Sequence, residues 1–194
     1  MRFGITWARN SIDNPYYTRR GSSVSLTLQA TPPYSKFFKN EKAEELLLKK
    51  EAGTMTGEES EKLKQELFKW VEYYKTEFKA KLFTPLSSNQ KLVLMTRAEY
   101  GFLGYYDKNR RSPFERYYVG GDGMSGYSST YATETIALRG YENGSLTPYG
   151  YDGYAYCRFG LELRCPILME GSTTIYGLAF VEGGNAWTDV RDFN

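Results

Sequence analysis

Alternation of apolar and polar residues is the dominant pattern along the chain. In SSVSLTLQA (22–30), every second residue from Val24 onward is apolar, and serine, threonine or glutamine stands between. A period of two is typical of β-strands that separate an apolar surface from a polar one. Six segments are predicted as strands: RFGITWARN (2–10), SSVSLTLQA (22–30), YKTEFKAKLF (74–83), KLVLMTRAEYGFLGYY (91–106), GYAYCRFGLELRC (153–165) and TIYGLAFVEGG (174–184). The last segment is apolar on both faces, as expected of a strand with protein on one side and lipid on the other.

The connections between these strands alternate in length. Three are short and rich in proline, glycine, asparagine or serine: NSIDNPYYTRRG (10–21), TPLSSNQ (84–90) and PILMEGST (166–173). Two are long and cover residues 36–72 and 107–152. Short turns at one end and long loops at the other are typical of outer-membrane barrels. We therefore predict an all-β fold: an antiparallel transmembrane β-barrel segment, about six strands of a larger barrel, with residues 1–194 as one partial barrel domain.

Charged residues occupy one face of the predicted strands. Lys75, Glu77 and Lys79 alternate with Thr76 and Phe78. A soluble up-and-down barrel such as a lipocalin would not usually present charge to its interior and aliphatic or aromatic side chains outward. A soluble β-rich ligand-binding domain is the alternative from another class of protein.

Residues 39–72 depart from the β pattern and predict a helical loop insertion. The segment EKAEELLLKKEAGTMTGEESEKLKQELFKW is rich in charge and in helix-favouring residues. Thr56 followed by Glu59 predicts a capping box, and Leu63, Leu67 and the pair Trp70/Val71 form a narrow apolar stripe. We predict two short helices. They form either a partner-binding surface or a solvated insertion.

Composition narrows the classes of function. The chain has 25 basic and 23 acidic residues and a net charge of +2, so no field of one sign predicts nucleic-acid binding. Aromatic residues make up 16%, which indicates interfacial girdles and lumen packing or, alternatively, a carbohydrate platform. The chain has no histidine, which removes most hydrolase triads and the commonest metal ligand. Cys157 and Cys165 lie about 26 Å apart along one extended strand, too far for a disulfide. We expect no enzyme activity, no cofactor and no metal.

The second long loop contains an unusual motif. Gly120 and Gly121 begin the run GGDGMSGYSS, and LRGY (138–141) follows. No G-K-[ST] follows the glycines, so a phosphate-binding loop is disfavoured. The motif resembles the VRGF/Y signature loop of the BamA-type insertases, the outer-membrane assembly factors of the bacterial surface antigen family. Three further segments resemble family landmarks in the same order: PYYTRRGSSVSLTL (15–28), FGLELRCPIL (159–168) and LAFVEGGNAWTD (178–189).

The resemblance covers nearly the whole chain except the helical insertion, and it implies a site. In the family the signature loop, here residues 107–152, folds back into the barrel, where its arginine meets carboxylates on the lumen wall. The matching residues are Arg139, Glu162 and Glu182; Gly140 would let the backbone turn close to the wall, and Tyr141 would supply apolar packing. The family usually has Asp where this chain has Glu182. The alternatives are a solvated Arg139, and a Glu162 that pairs with Arg158 or Arg164 of its own strand. If Glu182 faces inward, Leu178 and Phe180 do so too, unless a bulge intervenes.

The resemblance also implies a function, without ATP or a cofactor. The complete barrel would fold and insert β-barrel proteins in the bacterial outer membrane, with outer-membrane lipid, unfolded β-barrel clients and accessory lipoproteins as partners. Within the same superfamily, the alternatives are a two-partner secretion translocator and an autotransporter-assembly relative. An outer-membrane enzyme is a further alternative, but the segment offers no nucleophile–base pair.

The resemblance finally implies that parts of the family protein are absent from this chain. A family barrel has about sixteen strands, preceded by periplasmic POTRA domains. The chain begins directly in RFGITWARN, without the pattern of a signal peptide. We therefore expect an internal fragment of a longer protein.

Overall fold

A six-stranded antiparallel sheet dominates the computed structural model, which describes residues 1–37, 40–69, 71–123, 134–170 and 173–192. Its strands are β1 (Phe3–Asn10), β2 (Gly21–Ala30), β3 (Tyr74–Pro85), β4 (Val93–Gly104), β7 (Ala155–Glu170) and β8 (Thr173–Trp187). These six strands follow one another in the sheet in the order of the sequence, β1-β2-β3-β4-β7-β8, and the short strands β5 (Tyr117–Val119) and β6 (Glu134–Ile136) form a separate sheet. Each strand lies where alternation predicted one, so the predicted all-β antiparallel fold is confirmed.

The two faces of the sheet differ sharply in chemistry. Residues that pair directly across neighbouring antiparallel strands lie on the same face. Lys79 pairs with Glu99, and Glu99 pairs with Arg158, so charged side chains form a row across three strands. The adjacent row, with Phe78 opposite Tyr100, lies on the other face. We call these the lumen face and the outer face.

The outer face exposes many large apolar side chains. Ile5 and Val181 are each 74% exposed, and Trp7 and Phe159 are each 58% exposed. A water-soluble protein rarely leaves so much contiguous apolar surface in contact with water, whereas a barrel strand places it against lipid. Strands β1 and β8 form the two edges of the sheet. The sheet is therefore open, as expected of a segment of a larger barrel.

Strands β7 and β8 are longer than predicted. They contain 16 and 15 residues, so most of PILMEGST (166–173), predicted as a connection, is strand. The pairing register shifts between Pro166 and Leu168, because proline has no N–H to donate to the ladder. The strand continues past this irregularity. At about 3.4 Å per residue, β7 spans about 50 Å, well beyond the bilayer hydrocarbon.

The connection between β2 and β3 contains three helices: α1 (Tyr34–Phe37), α2 (Glu41–Glu51) and α3 (Gly57–Leu67). The Asn40 side chain accepts from the backbone of Ala43 at the start of α2. At the start of α3 the Glu59 carboxylate accepts from both the backbone N–H and the hydroxyl of Thr56, each at 3.0 Å, which is the predicted capping box. Among the described residues, no helix is both long and apolar enough to cross a membrane.

The helices α2 and α3 form a small apolar core of their own. It is built from Ala43, Leu63 and Leu67, with Leu46, Leu47 and Met55 packed against it. The predicted stripe was right for Leu63 and Leu67. Val71 packs elsewhere, against the core beneath the second long loop, because α3 ends before it. Trp70 lies outside the described residues.

The connection between β4 and β7 folds onto the lumen face. It contains the short parallel strands β5 (Tyr117–Val119) and β6 (Glu134–Ile136) and 3-10 turns at Lys108–Arg110 and Pro148–Gly150; another 3-10 turn, Val190–Asp192, follows β8. Four of its residues, Tyr117, Val119, Ile136 and Tyr154, are buried in one cluster. Residues of the sheet and its edge complete this cluster: Tyr73, Leu103, Tyr156 and Ala186. Gly101 of β4 makes room for this packing, because a Cβ there would lie 2.9 Å from the Tyr117 hydroxyl. Residues 124–133 of the predicted signature loop lie outside the described residues.

The connection between β1 and β2 closes the opposite end of the lumen face. Tyr17 is 1% exposed and packs against Phe83, Val93 and Met95. Its hydroxyl lies 2.8 Å from the carbonyl oxygen of Lys91. The sequence predicted this segment only as a turn.

Candidate functional site

The site begins with charged side chains on the lumen faces of β4, β7 and β8. Strand β4 supplies Arg97 and Glu99, and β7 supplies Arg158, Glu162 and Arg164 by alternation. Strand β8 supplies Glu182, which pairs in register with Gly160. Gly160 lies directly beside the Glu182 side chain, since a Cβ there would be in van der Waals contact with the Glu182 Cγ at 3.4 Å. This wall is rich in arginine and surrounds a few nearly buried carboxylates.

The loop brings Arg139 directly onto this wall. Leu138, which is fully buried, donates its backbone N–H to the Gly121 carbonyl at 2.9 Å and fixes the backbone next to Arg139. The Arg139 guanidinium then donates to Glu182 through Nε at 3.1 Å and to Glu162 through Nη2 at 3.2 Å. Its backbone N–H also donates to Glu182, at 3.2 Å. The three residues singled out from the sequence therefore meet in one place.

Glu182 is the centre of the charge cluster. Its side chain is 2% exposed. Arg158 lies 3.3 Å and Arg97 lies 3.8 Å from it, in addition to Arg139. A carboxylate so deeply buried is stable only with close cationic partners. Glu182 accepts from both the guanidinium and the backbone N–H of Arg139, so the longer side chain in place of the family's usual Asp makes the contact.

Glu162 has two partners. Arg164 of the same strand donates to it through Nε at 2.6 Å, and Arg139 contacts it at 3.2 Å. The proposed pairing with a neighbour of its own strand therefore coexists with the loop contact. Arg158, the other neighbour considered, contacts Glu182 and Glu99.

The direction of the β8 side chains is resolved by the register. Phe180 pairs with Glu162, and Leu178 pairs with Arg164, so both face the lumen together with Glu182. The Arg139 guanidinium carbon lies 3.6 Å from the centroid of the Phe180 ring, a close cation–π contact. The inward phenylalanine is thus part of the arginine site, and no bulge separates it from Glu182.

The glycines of the loop have different roles. Gly120 and Gly121 have φ angles of 121° and 83°, and a Cβ on Gly120 would lie 2.5 Å from the Glu142 carbonyl oxygen. Both the left-handed backbone and the close packing require glycine there. Gly140 has a φ of 90°, and a Cβ at this position would meet no atom within 4 Å, so the backbone angle rather than close packing favours glycine there. Tyr141 is 43% exposed, so it supplies less apolar packing than expected.

A second contact between loop and wall has the opposite polarity. Glu134 of β6 accepts from Lys75 at 2.6 Å and from Lys79 at 3.1 Å, both on the lumen face of β3. Lys75 also lies 3.3 Å from Glu77 and 3.8 Å from Glu115. We call Glu134 the acidic anchor and Arg139 the basic anchor. Alternation predicted the inward lysines, but nothing in the sequence indicated their partner 59 residues away.

A third contact lies near the end of β8. Arg111 donates to Asp189 at 2.7 Å, and the Tyr105 hydroxyl donates to the same carboxylate at 2.8 Å. Partial burial opposes ionisation of Asp189, but the Arg191 backbone N–H, Tyr105 and Arg111 outweigh it and hold the pKa of this carboxyl below its ordinary value. The loop is therefore held to strands on both sides of β4.

The chemistry of the cluster is structural. Its arginine and glutamate side chains pair with one another. Within the described ranges, no group of three or more Asp, Glu, Cys or His side chains is placed to hold a metal ion. Cys157 and Cys165 are both unpaired.

Comparison with known proteins gives the context of this fold. The crystal structure of BamA from Haemophilus ducreyi lacking POTRA domains 1–3 is similar, with a TM-score of 0.61 and 18% sequence identity. The similarity covers 98% of this chain and 30% of that one, so the chain spans less than a third of its length. No curated protein matches the chain. The family model of the Omp85 superfamily domain matches residues 1–194, the whole chain, which therefore belongs to the Omp85 superfamily.

Proposed function

We propose that the six strands close with further strands into a barrel in the bacterial outer membrane, and that this complete barrel folds and inserts β-barrel proteins. The chain's part is to hold the signature loop against the lumen wall through Arg139, Glu162 and Glu182. Membership of the superfamily and the direct contacts of Arg139 support the proposal. The mechanism uses no nucleotide and no cofactor.

The contacts of Arg139 are the observation that carries this proposal. A planar guanidinium that binds two carboxylates and stacks on Phe180 is fixed in position and in orientation. The acidic anchor holds the same loop to β3, on the other side of β4. Together the anchors make β3, β4, β7 and β8 one stiff wall. Any strand opening that admits a client is then confined to other parts of the barrel.

The outer face assigns one partner class, and the superfamily suggests the others. Exposed Ile5, Trp7 and Phe159 make an apolar surface suited to outer-membrane lipid. Unfolded β-barrel clients are the proposed substrates, because a strand with unpaired backbone groups can be added to an open sheet edge. Accessory lipoproteins are proposed as further partners.

Reconstitution of the complete barrel protein in lipid vesicles tests the proposal. A urea-denatured β-barrel client is added, and its folding is followed by heat-modifiable migration on gels. We expect Arg139→Ala to slow folding, because loss of the contacts with Glu162 and Glu182 lowers the fraction of barrels in which the loop is held against the wall. Arg20→Ala, which removes the same charge from an exposed turn, is the matched control.

Two outcomes would contradict the proposal. If the Arg139→Ala and Arg20→Ala variants of the barrel protein both promote folding of the client at the rate of the unchanged protein, the loop contact has no part in assembly. If the barrel passes a secreted soluble client across the vesicle but does not accelerate folding of the β-barrel client, the translocator alternative is correct instead.

A further inference from the structure

A groove of about 400 Å³ lies between the α2–α3 hairpin and the second long loop. Five of its lining residues are cations, and they define what we call the basic groove: Lys50, Lys64, Lys108, Arg111 and Arg116. No acidic side chain is among the described residues that line it. Because acidic and basic residues are almost equal in number over the whole chain, this local excess needs a physical reason.

Two of the cations are held around one aromatic ring. The guanidinium carbons of Arg111 and Arg116 lie 5.0 Å and 5.8 Å from the centroid of the Tyr154 ring. Tyr154 is itself fixed, because its hydroxyl donates to the Ser112 carbonyl at 3.1 Å. Arg111 has a carboxylate partner in Asp189. Arg116 donates to the Tyr151 carbonyl, and among the described side chains no carboxylate forms an ion pair with it.

Two of the three lysines add to this unbalanced charge. Lys64 pairs with Glu61 at 2.9 Å on the exposed surface of α3. Lys50 and Lys108 form no ion pair within the described part of the chain. Because Lys50, Lys108 and Arg116 lie in one groove without carboxylate partners among the described side chains, they repel one another, and an anion in the groove would relieve that repulsion.

The floor of the groove is apolar. The residues that form it are Met55, Leu63, Leu67, Phe68 and Pro113, and Leu63 and Leu67 are buried. A site for a small hydrophilic anion needs no such floor, whereas an amphiphile fits both parts. The groove also lies near the membrane boundary, because Lys108 follows the end of β4 at Gly104 by only four residues.

We propose that the basic groove binds a phosphate group, carried by a lipid headgroup. Arginine forks match phosphate oxygens with paired hydrogen bonds, and clustered basic residues near a bilayer attract anionic headgroups. The apolar floor takes the first part of the lipid chain. This inference rests on the fold and not on the insertion activity.

Binding to the complete barrel protein in a neutral detergent tests the proposal by calorimetry. The probes are dihexanoyl phosphatidic acid, dihexanoyl phosphatidylcholine and inorganic phosphate. The groove variant is the pair Lys50→Gln and Lys64→Gln. The matched control is the pair Lys42→Gln and Lys62→Gln, which removes the same two charges from the same two helices but outside the groove.

We expect phosphatidic acid to bind more tightly than phosphatidylcholine. The groove variant should weaken phosphatidic acid binding about tenfold or more, in line with the contribution of single basic residues at a membrane surface, and the control should leave it unchanged. Equal loss in both variants, or equal affinity for the two lipids, would overturn the site. Inorganic phosphate that displaces the lipid at equal concentration would overturn the lipid as its source.

Discussion

Replacement of Glu182 by glutamine tests the basic anchor at the carboxylate that makes most of its contacts with Arg139. The substitution keeps the size of the side chain but removes the charge around which Arg97, Arg139 and Arg158 gather. It also turns an amide N–H₂ group toward guanidinium donors. Removal of one partner from a buried ion pair costs about 3–5 kcal/mol. Since Arg139 is 33% exposed and keeps some hydration, we expect about 3 kcal/mol, the lower end of that range.

Hydrogen exchange of backbone amides measures this loss directly. The Arg139 amide donates to Glu182 at 3.2 Å, so its exchange reports the opening of the anchor. A loss of about 3 kcal/mol corresponds to roughly 150-fold more frequent opening. In the complete barrel protein in micelles, Glu182→Gln should accelerate exchange in the peptide around Arg139 by that factor. Exchange within the sheet should not change.

Two further variants make the comparison sharp. Glu162→Gln should have a smaller effect, because Glu162 receives one contact from Arg139, whereas Glu182 receives its Nε, Nη2 and backbone N–H. Glu170→Gln, at an exposed end of β7, is the neutral control. If exchange around Arg139 is the same in Glu182→Gln and in the unchanged protein, Glu182 does not hold the loop against the wall.

Three other predictions concern separate parts of the chain. Glu134→Gln should lower the free energy of unfolding in urea by about 2 kcal/mol, a typical loss for hydrogen bonds to charged groups, since Lys75 keeps Glu77; an unchanged unfolding midpoint would contradict the acidic anchor. Hydrogen bonds from Thr56 and then Lys49 lower the pKa of Glu59 from 4.5 to about 2, so its contribution to the helices is present above about pH 4.5 and is lost as the pH falls through about 2. Circular dichroism should show this loss of helix, and a helical signal with the same acid profile in Glu59→Gln would contradict it. Tyr17→Phe should cost about 1 kcal/mol of stability in the same urea assay, whereas Tyr16→Phe, at an 83% exposed residue, should cost nothing; equal effects would contradict the role of the buried hydroxyl.

The strands could be predicted from the sequence because successive residues of a barrel strand face lipid and lumen in turn. Apolar and polar residues therefore alternate with a period of two. A shift of one residue would move Phe78 inward and Lys79 outward, so the pattern also restricts the register. The helices were predictable for a local reason as well: Thr56 and Glu59 specify the start of α3 by themselves. The meeting of Arg139 with Glu162 and Glu182 was expected only through resemblance, because no local pattern links a loop residue to strands more than 20 residues away.

The structural features that could not be predicted from the sequence depend on packing between residues far apart in the chain. Tyr17 sits in a segment whose composition indicates only a turn, and its burial is decided by Phe83 and Met95 of other strands. The partner of Lys75 and Lys79 depends on where the loop returns to the wall. Strand β7 continues past Pro166 because β8 pairs with it there, whereas proline alone predicts an end.

The contact of the outer face with lipid is tested most directly by partition of the purified chain between buffer and detergent micelles. Far-UV circular dichroism measures the β-structure in each. We expect aggregation in buffer and recovery of the β signal in micelles, because the outer face needs apolar cover and the two edge strands present unpaired backbone groups. A monodisperse β protein that unfolds cooperatively in plain buffer would contradict the assignment of the outer face to lipid.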